Sequence, residues 1–112
     1  GSADIGGEGR GMRPMEILLT SLASCAAMDV VHILRKQRQP LETLRIEAEG
    51  DRADATPAPY THVRFLFVGN RGLDEHKLRR AVSLGVEKYC SAISSLDPAI
   101  DVTWEARLED EA

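Results

Sequence analysis

Cysteine is scarce in this chain: Cys25 and Cys90 are the two among 112 residues. A pair so far apart excludes a disulfide framework and a closed thiolate zinc site. The three histidines, His32, His62 and His76, fall in different segments with no ligand spacing, so the sequence offers no metal site. Positive charge is in deficit, with fourteen Lys and Arg against eighteen Asp and Glu and a net charge of −4. That balance leaves no electrostatic footprint for nucleic acid or an anionic membrane. The basic run Arg35, Lys36, Arg38 falls where it complements a helix C-terminus.

Other signals are missing as well. GSADIGGEGRG has neither the charged n-region nor the apolar h-region of a secretory leader. The expected address is cytoplasmic, where a cysteine pair is more often redox-active than structural. GGEGRG precedes a helix but lacks the strand, Lys and Ser/Thr of a phosphate loop, and no cofactor is implied. No Ser/His/Asp set, repeat or low-complexity tract stands out. Residues 17–34 are the one apolar run of membrane length, and Asp29 and His32 inside it would each be costly in lipid, so no membrane span is expected.

What remains reads as a single domain over 1–112. Residues 1–13 hold five of the nine glycines and form a flexible lead-in. Pro14 suits the first turn of a helix, and nothing interrupts the helix until Gln37, with Pro40 closing it. This helix is apolar on nearly every side, with Ala23, Ala26 and Ala27 among its Leu, Ile and Val residues. Such character means enclosure, and a chain this short can hardly enclose the helix alone, which predicts a homodimer. LETLRIEAEGD then alternates, placing Leu44, Ile46 and Ala48 on one face. THVRFLFVGN does the same with Val63, Phe65 and Phe67, and the two strands are expected to pair. Asp74 is a helix N-cap for EHKLRRAVSLGVEKYC, and SAISSLD is a short segment ended by Pro98. IDVTWEARLE supplies the clearest strand, with Ile100, Val102, Trp104, Ala106 and Leu108 inward. The order α-β-β-α-β specifies an α+β domain built around one buried helix.

At 100° per residue, Ser21, Cys25, Met28, Asp29 and His32 share one stripe of the first helix. A lone helical cysteine is most often a packed thiol. An ionised Asp29 one turn away would raise the Cys25 pKa, so a reactive Cys25 needs a cation from elsewhere; Arg10 and Arg13 are nearest in sequence. Cys90 ends the apolar stripe of the second helix. If the two helices pack, the thiols can meet, and such a pair can pass through a sulfenic acid to a disulfide that an external dithiol resets.

PMEILLTSLASCAAMDVVHIL, then EKYCSAISSL, then an alternating final strand resemble the OsmC/Ohr family, the osmotically induced protein C and organic hydroperoxide resistance proteins. The resemblance spans residues 6–108 and is nearest the OsmC-like branch. It implies an intertwined homodimer in which antiparallel sheets wrap two long central helices, with N-terminal strands that would precede GSADIGG. It implies a peroxidatic role for Cys25 and a resolving role for Cys90. The implied substrates are organic hydroperoxides and, less efficiently, hydrogen peroxide, with a small dithiol or lipoyl group as reductant. Three positions depart from the better-known branches. Their activating arginine matches no residue here. Their helper glutamate falls on Met15, while Glu16 lies half a helical rotation from Cys25. Ser91 stands where they have proline after the second cysteine. The expected function is a cysteine-based peroxidase working through a Cys25–Cys90 disulfide. The alternatives are a catalytically weak dimer that binds a small apolar or thiol-containing ligand near Cys25, and an interaction module in which both thiols only pack.

Overall fold

The computed structural model describes residues 13–110. Helix α1 runs Pro14–Lys36, with proline in its first turn, Glu16 near its positive end and Arg35 and Lys36 near its negative end. It stops where Arg38 turns left-handed, at φ 58°, and the Gln39 amide donates back to the Leu34 carbonyl at 3.0 Å. The Gly-rich lead-in falls outside the described residues except for Arg13, which occupies the N-cap position of α1.

Strands β1 (Leu44–Arg52), β2 (Tyr60–Gly69) and β3 (Asp101–Leu108) form one sheet in the order β1-β2-β3. The inward sets read from alternation are the ones in register: Ile46 lies opposite Phe67, and Phe65 opposite Trp104. β1 and β2 pair antiparallel as expected, whereas β2 and β3 are parallel, so the sheet is mixed and not uniformly antiparallel. The cause is the connection between them. Helices α2 (Glu75–Leu84) and α3 (Ser91–Ser94) carry the chain back across the sheet, so β3 starts from the same end as β2.

Leu22, Ala26, Val30 and Leu34 of α1 join Val63, Phe65 and Phe67 of β2 and Leu78, Ala81 and Val82 of α2 in one core. Asn70 locks its rim. Its side-chain oxygen accepts from the amides of Glu42 and Thr43 at 2.7 and 3.1 Å, and its nitrogen donates to the carbonyls of Pro40 and Arg71, both at 3.0 Å.

Enclosure of α1 is only partial within one chain. It is long and apolar enough to cross a bilayer, yet Leu22, Ala23, Ala26, Val30 and Leu34 line a protein core. The opposite side is open, with Ile17 at 50%, Leu18 at 37% and Met28 at 75% exposure. The sheet and α2 pack against one side of the helix and leave the other uncovered.

The second helix also differs from the regular 75–90 helix expected. α2 ends at Leu84, and Gly85–Tyr89 forms a π-helical turn in which the Cys90 amide donates to the Gly85 carbonyl at 3.0 Å. Each such turn adds one residue to the helical repeat and so rotates everything after it.

Candidate functional site

α1 and the π turn meet at Gly85. A Cβ placed on Gly85 would stand 3.1 Å from Val30 Cγ2, 3.2 Å from the Ala26 carbonyl oxygen and 3.5 Å from Asp29 Cβ. Absence of a side chain there lets the second helix press onto the α1 backbone within one turn of Cys25. Glu87 braces the turn: it accepts from Ser83 Oγ at 2.7 Å and from Trp104 Nε1 of β3 at 3.2 Å. The chain then leaves the π turn with Cys90 extended, as N-cap of α3.

This geometry brings together both sequence-predicted site residues. Cys25 Sγ, Cys90 Sγ and a carboxylate oxygen of Asp29 all lie within 4.8 Å of one another. Both thiols are free, Cys25 half-buried and Cys90 buried. The stripe expected on α1 is divided by its neighbours. Cys25 and Asp29 turn toward the second helix, while Ser21, Met28 and His32 stay exposed.

Burial pushes the Cys90 thiol up to about 11, and its hydrogen bond with Cys25 pushes the same way. The Ile93 amide, which donates to Cys90 Sγ at 3.4 Å, acts in the opposite sense and is outweighed. Cys90 is therefore a protonated thiol at neutral pH. Arg13, the described one of the two arginines considered for Cys25, heads α1 beside Tyr60 and Gly50. It is twelve residues from Cys25, about 18 Å along the helix. Arg10 lies outside the described residues.

Two open hollows lie along α1, and neither is lined by Cys25, Asp29 or Cys90. One, of about 470 Å³, is lined by Leu19, Ala23, Ser24 and Ala27 with Ile46 and Ala48 of β1. The other, of about 370 Å³, is lined by Ala27, Met28, Val31, His32 and Arg35. The sequence reading missed Gly85, although a glycine inside the apolar repeat of SLGVEKYC is the signal of a close helix approach. Nor did it place Asp29 beside Cys90, since that neighbour comes from the other helix.

The comparisons with known proteins agree with this frame. The family model described as OsmC-like protein matches residues 7–105. Protein YhfA of Escherichia coli is 37% identical over 91 residues, covering 80% of this chain and 68% of YhfA. A hypothetical protein from Aquifex aeolicus has a crystal structure that superposes with a TM-score of 0.80 at 36% identity, over 90% of this chain and 78% of that one. The organic hydroperoxide resistance protein OhrB of Bacillus subtilis shares the fold at a TM-score of 0.66 and 20% identity, over 94% of this chain and 76% of its own. With the match covering most of its length, the chain belongs to the OsmC-like protein family.

Proposed function

We propose that the protein is a thiol peroxidase that reduces organic hydroperoxides, and hydrogen peroxide less well, in a reducing cytoplasm. The observation that carries this reading is the meeting of two free thiols from separate helices within 4.8 Å. Cys25, the more accessible of the two, attacks the peroxide. Its sulfur takes one oxygen, the O–O bond breaks, and Cys25–SH plus ROOH becomes Cys25–SOH plus ROH. Cys90, buried and protonated, is the poorer nucleophile toward external peroxide. It meets the sulfenic acid held beside it, and the two condense to a disulfide with loss of water. The sulfurs close from their resting spacing to about 2.05 Å in that step. A small dithiol, of the lipoyl class, then restores both thiols by exchange.

Two copies are proposed to pair through the open side of α1, where Ile17, Leu18 and Met28 stand in solvent. Large apolar side chains gathered on one helix face are what a partner covers.

Stopped-flow oxidation of the fully reduced protein by an organic hydroperoxide tests the activity, with Cys25→Ser and Cys90→Ser as controls. Fast oxidation that needs Cys25 and ends in an intramolecular disulfide is expected. Oxidation at the rate of a free thiol would overturn it. It would favour the second reading, a weakly active dimer that binds a small apolar or thiol-containing ligand near Cys25.

A further inference from the structure

We propose that Cys25, Asp29 and Cys90 form a binding site for a divalent cation of the zinc class. The inference goes beyond the peroxidase reading and does not depend on it. No ligand spacing in the sequence announces such a site, because the three donors come from two helices and meet only through the close approach at Gly85.

The donor set decides the class of ion. Two thiol sulfurs are soft ligands and the carboxylate oxygen a hard one, and the sulfur pair selects borderline zinc over magnesium or calcium. Three protein donors with a fourth position left for water is the arrangement of an open zinc site. The spacing suits that geometry. Tetrahedral zinc with bonds of about 2.3 Å holds its sulfurs about 3.8 Å apart. The three donor atoms, all within 4.8 Å of one another, need to draw in by no more than about one ångström.

The surroundings suit it as well. Cys90 is 1% exposed, so a bound ion would be partly shielded from competing water on that side. Asp29 gains a purpose that the thiol chemistry does not give it. Its carboxylate oxygen stands within 4.8 Å of both sulfurs, where it would supply the third ligand to a bound ion.

Binding draws both thiol protons into solution as the thiolates coordinate the ion. It is exclusive with the disulfide, which consumes both sulfur ligands. A cation at this position would therefore hold the pair reduced, and oxidation would release it.

The test begins with fully reduced, chelator-treated full-length protein, titrated with zinc by equilibrium dialysis. Cobalt titration then reads the ligands optically. One zinc per chain is expected, with thiolate charge-transfer absorption and tetrahedral bands in the cobalt form. Asp29→Asn should weaken binding at least tenfold, each of Cys25→Ser and Cys90→Ser at least a hundredfold, and the Cys25–Cys90 disulfide form should bind none. Cadmium-113 NMR on the unaltered chain counts sulfur ligands without relying on any variant's folding, and a shift typical of two sulfurs is expected. Less than one zinc per chain, an octahedral cobalt spectrum, or a cadmium shift typical of oxygen ligands would overturn the proposal. Peroxide kinetics on the metal-free protein are read separately, so failure of either proposal leaves the other standing.

Discussion

Gly85 rests against the backbone of Ala26, so closely that even a methyl group there would stand 3.2 Å from the Ala26 carbonyl oxygen and 3.1 Å from Val30 Cγ2. The contact is what sets the two thiols side by side, since Cys25 precedes Ala26 and Cys90 follows the π turn that Gly85 begins. Gly85→Val would put its γ-carbons into Val30 and the Ala26 carbonyl. Overpacking of this kind costs about 1–3 kcal/mol. The variant is expected to melt lower. It should also form the Cys25–Cys90 disulfide at least tenfold more slowly after a stoichiometric pulse of oxidant, measured by mass spectrometry. A variant that loses stability but closes the disulfide at the parent rate would show that Gly85 does not position the thiols.

Alkaline pH should act through Cys90. Its folded pKa, about 11, lies above the ordinary value of 9.0 that it regains on unfolding. A raised pKa means that the folded state holds the proton more tightly. The resulting stability is complete below the unfolded value and is lost as pH rises from there through the folded value. The reduced protein should therefore lose on the order of 2 kcal/mol of its advantage over Cys90→Ala across this window. Urea unfolding of both proteins at stepped pH isolates the effect from other alkaline titrations. A difference that stays constant with pH would remove Cys90 as its source.

Asn70 joins two loops that are far apart in sequence. With Asn70→Ala, the amides of Glu42 and Thr43 and the carbonyl of Pro40 lose their partner at the rim of the core. Several polar groups left without partners cost about 2–4 kcal/mol together. Urea denaturation should show that loss in the midpoint, with little change in slope. None of these partners belongs to the thiol site, so the thiols should keep their oxidation rate.

Dilution tests the pairing of α1. If a second copy covers Ile17, Leu18 and Met28, the melting temperature should fall as protein concentration falls. Met28→Glu, which places a charge on that face, should lower it further and abolish the concentration dependence. A melting temperature that ignores dilution would mean that one chain is stable with this face in water.

Much of the fold is legible because local periodicity and burial obey the same geometry. Alternation in LRIEAEG, HVRFLFV and DVTWEARL marks the inner faces that the sheet uses, since a strand has only two sides. Pro14 and Asp74 mark helix starts for equally local reasons, a missing amide hydrogen and a side-chain acceptor. The order of elements follows from these. The direction of β3 does not, because it depends on how α2 and α3 cross the sheet, and no residue within β3 encodes that path.

The site divides in the same way. Sequence alone determined that Cys25 sits among apolar residues of a long helix with Asp29 one turn beyond it, and that Cys90 follows the apolar repeat that opens at Asp74. Tertiary structure decided that these groups meet. A single glycine allows the helices to touch, and the π turn that it begins ends at Cys90, which leaves the turn extended and beside Cys25. Burial, together with the hydrogen bond with Cys25 of the other helix, then raises the proton affinity of Cys90, because desolvation depends on what surrounds a group in space.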